Sequence, residues 1–166
     1  CLPEDHVGAV VMLTPPRRLE PSDDLAGFSC GEPTIDIWLQ KHARGAFKRG
    51  TAVVYVTFDG DGRLAGFYSL SAHSMDRNAM TGWLARNAPE QVPVILLGML
   101  GVDSEYQGEG LGKQLLLDGY HRAKRAAETI GARALVVDPL NEAATEFYLR
   151  LGFEHVPGSD RLFARF

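Results

Sequence analysis

Gln107-Gly108-Glu109-Gly110-Leu111-Gly112 is the stretch of this chain that decides the fold. It follows a nearly continuous apolar run at residues 94–102, typical of a strand buried on both faces, and it opens a helical pattern that ends near residue 130. Glycine lets a backbone approach a ligand closely, and the first N–H groups of a helix have no intrahelical partner. The stretch therefore predicts an anion site whose natural ligand is a phosphate.

The spacing of this loop differs from two common phosphate sites. A dinucleotide-binding loop has G-x-G-x-x-G with an acidic residue about 20 positions later, and an NTPase loop has G-x-x-x-x-G-K-[ST]. The pattern here is Q-x-x-G-x-G, formed by Gln107, Gly110 and Gly112. A flexible loop is the simpler interpretation of the glycines alone, but the strand before them and the helix after them favour a phosphate site.

Composition bounds the class of protein. With 166 residues, 45% of them hydrophobic, we expect a single domain over residues 1–166. The two cysteines, Cys1 and Cys30, cannot form a disulfide framework or a four-ligand metal site, so we expect a reducing, cytoplasmic environment and no metal. No apolar run reaches the roughly 18 residues that span a bilayer, and the N-terminus lacks a signal-peptide pattern, so we expect no membrane association.

Local patterns predict the order β, α, three strands, α, β, α, β, β. In the second half, strands alternate with helices and should pair in parallel, whereas the turn Asp59-Gly60-Asp61-Gly62 predicts an antiparallel hairpin. The expected fold class is α/β, a mixed sheet covered by helices. Strands are predicted at residues 8–14, 51–58, 64–72, 94–102, 134–137, 153–156 and 161–166, helices at 35–47, 111–130 and 141–151, and a short helix at 81–86.

The glycine loop resembles the pyrophosphate-binding loop of the GNAT (N-acetyltransferase) superfamily. A second motif, Asn141-x-x-Ala144-x-x-Phe147-Tyr148-x-x-x-Gly152-Phe153, is similar to a segment on the last helix of that superfamily. Other segments are similar, more narrowly, to the GNAT toxins of bacterial toxin-antitoxin pairs. These are Phe28-x-Cys30-Gly31, Ile35-Asp36-x-Trp38-Leu39, Gly66-Phe67-Tyr68-Ser69-Leu70, Pro93-Val94-x-Leu96-Leu97-Gly98 and Ile130-Gly131-x-Arg133-Ala134-Leu135.

The resemblance implies a GNAT-like mixed central β-sheet flanked by α-helices and an N-acetyltransferase that uses acetyl-CoA. The toxins that the chain resembles acetylate the α-amine of aminoacyl-tRNA and stop translation, and their usual partner is a ribbon-helix-helix antitoxin. The sequence leaves open whether the active form is a homodimer. The residues that would bind acetyl-CoA are Leu100, Gly101, Val102, Gln107, Gly108, Glu109, Gly110, Leu111, Gly112, Lys113, Asn141 and Phe147.

Tyr148 is the predicted general acid for the departing CoA thiolate. A tyrosine with a pKa near 10 stays protonated at neutral pH and can protonate a thiolate whose conjugate acid has a pKa of about 8 to 9. A packed aromatic is the simpler interpretation of Tyr148 alone, and its motif favours catalysis. No Asp or Glu in residues 94–102 offers a base, which favours an α-amine, with a pKa of about 7.7 to 8.0, over a lysine near 10.4. His73 is expected to be structural.

The charge pattern gives mixed indications about a nucleic-acid substrate. A formal net charge of −4 disfavours a polyanion, but basic residues beside His42 share one face of the first predicted helix. An ordinary solvated face and a tRNA-contacting patch explain that cluster equally well. The same two interpretations apply to Arg86, which precedes the fourth predicted strand. The patch would consist of Lys41, Arg44, Lys48, Arg49 and Arg86.

Two residues depart from the toxin pattern. Met99 stands where many of these toxins have a basic residue and cannot contact a phosphate, and Gly101 replaces a more usual alanine. Met99 and the acidic net charge motivate an alternative acceptor, a small amine or a protein N-terminus. A further alternative of a different class is a non-catalytic acyl-CoA-binding or protein-interaction module.

Overall fold

A computed structural model describes residues 12–166, and a mixed seven-stranded sheet forms the centre of that part of the chain. The sheet order is β1-β2-β3-β4-β5-β7-β6. Only β4 and β5 pair in parallel, and the other neighbours pair antiparallel. The strands are β1 (Arg17–Arg18), β2 (Val53–Phe58), β3 (Leu64–Asp76), β4 (Gln91–Val102), β5 (Ala134–Val137), β6 (Glu154–His155) and β7 (Leu162–Arg165).

Four α-helices cover the sheet in this part of the chain, which confirms the predicted fold class. They are α1 (Pro33–Lys41), α2 (Ala43–Arg49), α3 (Leu111–Ile130) and α4 (Glu142–Arg150). Successive strand residues point to opposite faces, so Phe67 and Tyr68 enter different cores. Phe67 packs with Leu39 of α1, and Tyr68 packs with Leu115 of α3. The site described below is lined by residues of α1, α3 and α4.

A polar network fixes α3 to the sheet. The buried Tyr68 hydroxyl donates to the Asp118 carboxylate, and Arg122 Nε donates to the same carboxylate at 2.9 Å. The Arg122 guanidinium also lies 4.4 Å from the centre of the Tyr55 ring. Burial, with the Asp118 bond, raises the pKa of Tyr68, so its hydroxyl remains a donor. The network holds the helix in place behind the glycine loop that begins it.

The first predicted helix is in fact two helices. The prediction of one helix over residues 35–47 is wrong because the chain bends at His42, whose φ of −122° and ψ of −25° lie outside the helical range. Ile35 of α1 and Ala43 of α2 are both buried in the same core, and the bend lets both helices follow the twisted sheet. No glycine or proline stands at the bend, and the apolar spacing continues through it. The sequence therefore gives no local signal of the bend.

Several other predicted boundaries move. The short helix at residues 81–86 reduces to a single 3₁₀ turn, Gly82–Leu84, because Gly82 at φ 72° and Asn87 at φ 55° both leave helical geometry. Strand β3 extends four residues beyond its predicted end, and β4 begins three residues early. Most of the strand predicted at residues 8–14 lies outside the described residues, and its described end is not a strand, although Thr14 N donates to Phe58 O at 2.8 Å. The terminal strand pair β6–β7 is confirmed.

Gly101 provides the first test of this packing. A Cβ at this position would lie 2.9 Å from Ile35 Cγ2 and 3.0 Å from Phe67 Cε1, so α1 leaves no room for the alanine that the toxin pattern favours. Gly101→Ala should lower the free energy of unfolding by about 1 to 3 kcal/mol, measured by urea denaturation. Gly60→Ala is the control, because no atom lies within 4 Å of its added carbon. Equal losses in the two variants would contradict the packing.

Candidate active site

The site lies where β5 ends and β4 continues without it. The two strands pair at Ile95, Leu96 and Leu97 only, and β4 continues to Val102 without β5 beside it. Its pairing with β3 shifts by one residue between Leu97 and Leu100, which is a β-bulge. Met99 N donates to Ser69 Oγ at 3.0 Å within the bulge. Two cavities flank this free end of β4, of about 250 Å³ and about 70 Å³.

The larger cavity lies against the glycine loop, and we call it the loop cavity. Gly108 and Gly110 both have φ of 83°, a conformation that favours glycine, and no atom lies within 4 Å of where either Cβ would be. Gly110 precedes α3, and no side chain caps that helix. The first-turn N–H groups therefore face a space that a phosphate group fits. The lining residues are Val102, Tyr106, Gln107, Gly108, Gly110, Leu111, Gly112, Lys113 and Phe147.

The side chain of Gln107 holds the loop in place. Its amide nitrogen donates to Val102 O and to Cys30 O, both at 2.8 Å, so the amide is occupied within the protein. These two hydrogen bonds to backbone carbonyls join the glycine loop to β4 and to the segment before α1. Gln107 lines the loop cavity, but its amide nitrogen bonds to backbone carbonyls, and its predicted contact with acetyl-CoA stays a prediction. Glu109, also predicted to bind, is exposed and does not line the cavity.

A buried carboxylate supports the same loop from the other side. Asp103 is fully buried and accepts from Ser29 N and Glu105 N, both at 3.1 Å. Arg63 Nη2 lies 3.2 Å from the same carboxylate, so the charge is paired. Because these bonds cross from β4 to the segment before α1, the entrance to the loop is rigidly connected to the first helix.

Tyr148 lies in the smaller cavity, which we call the acceptor cavity. Its side chain is 7% exposed and packs between Phe147 and Phe153, with ring centres 5.2 and 5.3 Å away. The hydroxyl bonds to no other residue among 12–166. Every fully buried side-chain polar atom in that range has a partner, so the Tyr148 hydroxyl is not fully buried and opens into the cavity that the residue lines. Burial raises the pKa of Tyr148, which keeps the phenol protonated at neutral pH. A phenol that is protonated at neutral pH can donate a proton to a ligand in this cavity, and the catalytic role of Tyr148 stays a prediction.

Asn141 and Phe147 connect the two cavities through α4. Asn141 Oδ1 accepts from Ala144 N at 2.9 Å and caps the helix, while its Nδ2 donates to Glu32 Oε1 at 3.0 Å. The Phe147 ring lines the loop cavity, and a Cβ on Gly112 would lie 3.7 Å from its Cζ. Asn141, predicted to bind acetyl-CoA, thus has both halves of its amide engaged inside the protein.

Two carboxylates reach the acceptor cavity from segments that sequence reasoning did not consider. Strand β4 carries none, as the sequence states, but Glu32 precedes α1 and Asp138 follows β5. Asp138 forms a two-bond ion pair with Arg161, at 2.7 and 2.9 Å. The same Arg161 lies 3.2 Å from His73 Nε2, which agrees with a structural role for His73. Glu32 and Asp138 lie more than 100 positions apart in the chain, so no local pattern predicts their meeting.

The predicted basic patch divides into different environments. Lys41, Lys48 and Arg49 are exposed on α1 and α2. Arg44 also donates to the carbonyls of Glu20, Pro21 and Asp23, so its guanidinium holds a loop. Arg44 and Lys48 line a groove of about 470 Å³, and Arg86 lies apart from it in the segment between β3 and β4.

Arg18 is a basic residue that sequence reasoning missed. Its guanidinium lies 5.0 Å from the centre of the Phe47 ring, at the same groove. It comes from β1, 23 positions before Lys41, the first residue of the cluster, so only the sheet brings it there.

Other kinds of site have no counterpart in the described part of the chain. Cys30 is half-buried, and burial raises the pKa of its thiol to about 11, so it is not a reactive thiolate. No group of three metal-binding side chains occurs among residues 12–166. Within the same residues, no helix is both long enough and apolar enough to span a bilayer.

Comparisons with known proteins agree with this geometry. The chain is 43% identical over 142 residues to a tRNA-acetylating toxin of Mycobacterium tuberculosis, covering 86% of this chain and 85% of the relative. The structure of AtaT complexed with acetyl-methionyl-tRNAfMet matches with a TM-score of 0.84 and 27% identity, over 93% of this chain and 95% of that chain. A tyrosine-to-phenylalanine mutant of AtaT, bound to the C-terminus of the antitoxin AtaR and acetyl-CoA, matches with a TM-score of 0.79 and 27% identity, over 93% of each chain.

The family follows from the extent of the match. Residues 21–153, most of the chain, match the acetyltransferase (GNAT) family. This range contains the glycine loop, the unpaired end of β4 and Tyr148. The protein therefore belongs to the GNAT acetyltransferase family.

Proposed function

We propose that this protein transfers the acetyl group of acetyl-CoA to the α-amine of aminoacyl-tRNA and acts as a toxin that blocks translation. One observation carries the proposal: an open helix N-terminus and an open tyrosine hydroxyl flank the same free end of β4. The Mycobacterium tuberculosis relative supports the substrate, because its name states that it acetylates tRNA.

The loop cavity fits the pyrophosphate of acetyl-CoA. The N–H groups of Leu111, Gly112 and Lys113 are uncapped, and the Lys113 side chain adds a positive charge to the lining. The unpaired edge of β4, at Leu100 to Val102, offers backbone donors and acceptors to the remainder of the ligand. The acetyl-CoA contacts assigned to these residues are part of the proposal.

The transfer needs one proton donor and one acceptor. The neutral amine nitrogen forms a bond to the acetyl carbon and gives up one proton, which passes through a proton acceptor to solvent. The bond from that carbon to sulfur breaks, and the CoA thiolate takes the Tyr148 hydroxyl proton. The tyrosine regains a proton from solvent. A terminal α-amine, with a pKa of about 7.7 to 8.0, is partly neutral at pH 7 and needs less help from a base than a lysine with a pKa of about 10.4.

A second acceptor class deserves the same assay. The net charge of −4 and the apolar Met99 in the acceptor cavity favour a small amine or a protein N-terminus. A peptide with a free N-terminus that is acetylated while charged tRNA is not would establish this alternative and refute the tRNA substrate.

We also propose an antitoxin partner of the ribbon-helix-helix type. Support comes from the AtaT mutant that was solved with the C-terminus of the antitoxin AtaR. A homodimer is part of the same proposal, and light scattering of the purified protein tests it. A short neighbouring gene that encodes a ribbon-helix-helix protein, and whose product binds this chain, would support the pairing, and failure of that product to bind would contradict it.

The direct test is turnover. Purified protein is incubated with acetyl-CoA and a pool of charged tRNA, and the pool is digested with nuclease and analysed by mass spectrometry. An aminoacyl-adenosine fragment carrying an added acetyl group is expected. Consumption of acetyl-CoA without that fragment, or no consumption at all, would contradict the proposal.

Tyr148→Phe tests the general acid. The variant should bind acetyl-CoA with parental affinity but lose about 100-fold or more in kcat, because only the proton donor is removed. Tyr120→Phe is the matched control. The Tyr120 hydroxyl donates to Arg165 O at 2.7 Å, and Tyr120 lines neither cavity. A Tyr148→Phe variant as active as the control would remove Tyr148 from the mechanism.

Gly110→Ala tests the loop cavity. Gly110 has φ of 83° and Gly62, in the β2–β3 turn, has φ of 81°, so alanine costs both positions about 1 to 2 kcal/mol of backbone strain. Only Gly110 touches the proposed ligand, so Gly110→Ala should weaken acetyl-CoA binding by about tenfold and Gly62→Ala should leave it unchanged. Isothermal titration calorimetry measures both. Equal affinities would place the pyrophosphate elsewhere.

Lys48→Gln tests the basic groove. If Lys48 contacts a phosphate, the variant should bind tRNA more weakly, and the slope of log Kd against log salt concentration should fall by about 0.7 to 0.9. Lys124→Gln, on the exposed side of α3, is the control with the same change of charge. A parental slope for Lys48→Gln would show that the groove does not contact the nucleic acid.

A further inference from the structure

We propose that the Glu32 carboxylate binds the α-amine of the acceptor and takes its proton during transfer. This inference rests on the proposed function and assigns the proton acceptor that the sequence did not reveal. Its basis is the meeting of Glu32, Asn141 and Tyr148 in one cavity.

The local backbone fixes Glu32 at the mouth of the acceptor cavity. It precedes Pro33, the first residue of α1, and its carbonyl accepts from Ile35 N and Asp36 N, both at 3.1 Å. The residue is half-buried and therefore faces both the cavity and solvent. A group in this position can receive a proton inside and release it outside.

Asn141 orients the Glu32 carboxylate. Oε1 accepts from Asn141 Nδ2 at 3.0 Å, and the other oxygen bonds to no residue among 12–166. Because Asn141 Oδ1 caps α4, the amide cannot turn over without losing the cap. The helix that carries Tyr148 thus also holds Glu32, and Asn141 is a positioning residue.

The charge on Glu32 is unpaired in the described part of the chain. None of the ion pairs between residues 12 and 166 includes it, whereas Asp138, the other carboxylate of this cavity, is held by Arg161. A half-buried anion without a counter-ion is a binding group for a cation. An ammonium group, the charged form of an α-amine, provides the missing charge.

The rest of the lining explains why the amine needs this partner. Ile35, Leu97, Met99 and Leu140 make most of the wall apolar, so an amine there has few groups to replace its water. Glu32 and the Tyr148 hydroxyl then have opposite tasks. The bound ammonium group first loses one proton through the carboxylate to solvent and becomes the nucleophilic amine. When the nitrogen bonds to the acetyl carbon, the carboxylate receives its second proton, and the phenol protonates the thiolate. The protons balance once each group exchanges with solvent.

The placement of charges also suits this acceptor. Helix α1 has Glu32 before its first residue and Lys41 at its last, which separates the two by roughly 14 Å at about 1.5 Å per residue. The end of an aminoacyl-tRNA has the matching order, a cationic amine followed by anionic phosphates. The cavity is acidic where the amine enters, and the surface is basic farther out.

Binding without acetyl-CoA isolates this role, because no turnover occurs. The affinities for charged tRNA and for the same tRNA after deacylation are compared in the parent, Glu32→Gln and Glu146→Gln. Glutamine keeps the shape and the acceptor for Asn141 Nδ2 but loses the charge. Glu146, exposed on α4 and outside both cavities, is the matched control.

The parent and Glu146→Gln should bind charged tRNA about tenfold or more tighter than deacylated tRNA. Glu32→Gln should bind both forms equally, with unchanged affinity for deacylated tRNA and for acetyl-CoA, which reports correct folding. An unchanged preference in Glu32→Gln would overturn the inference, as would a parent that has no preference.

Asn141→Asp is a second, independent variant. Aspartate also caps helices well, so α4 should persist, but its carboxylate would lie beside that of Glu32 and displace it. The preference for charged tRNA should fall by about tenfold, and a parental preference would count against the inference.

The outcomes separate this inference from the proposed function. A parent that acetylates charged tRNA, together with a Glu32→Gln variant that keeps the preference, removes only the role of Glu32. A parent that does not acetylate charged tRNA overturns both.

Discussion

The end of β5 at Val137, opposite Leu97 of β4, is the constraint on which the rest of the structure depends. A parallel neighbour along the whole of β4 would leave no space at its edge, but β5 stops opposite Leu97, and the bulge in β4 follows directly after this point. The free end of β4 still pairs with β3, so its backbone stays ordered while one edge faces the cavities. Both the loop cavity and the acceptor cavity open on this edge.

Side-chain bonds to distant backbone keep that opening in shape. Gln107 joins the glycine loop to Val102 and Cys30, and Asp103 joins the end of β4 to Ser29. These bonds bring the start of the first helix close to the loop. They explain why a segment with no catalytic motif of its own takes part in building the site.

Helix α4 completes the arrangement from the opposite side. Its cap, Asn141, reaches Glu32, and its second turn carries Phe147 and Tyr148 to different cavities. Helix α4 and its cap therefore line the proposed phosphate site, carry the proposed acid and hold the proposed proton acceptor. Its position depends on packing against α3 and the sheet, since Tyr148 belongs to the same core as Leu115.

Features with a local signal were predictable from the sequence. The glycine loop, α3 and Tyr148 each occur within a short motif, and the structure places them around one opening. Glu32 and Arg18 were missed because tertiary folding alone brings them to the site and to the basic groove. The bend at His42 was missed because the apolar spacing continues across it.

The roles of individual side chains were harder to predict than their positions. Gln107 and Arg44 look like ligand contacts in sequence, yet both use their polar groups on backbone carbonyls. A sequence motif does not state which atoms a side chain contacts. The departure at Gly101 has a clear packing cause, since Ile35 and Phe67 occupy the space that an alanine would need.

A crystal structure of the protein with acetyl-CoA tests the central claim most directly, because it locates both ends of the ligand. We expect the pyrophosphate against the N–H groups of Leu111 to Lys113 and the thioester sulfur within about 4 Å of the Tyr148 hydroxyl. A pyrophosphate bound away from the start of α3, or a sulfur directed away from Tyr148, would contradict it.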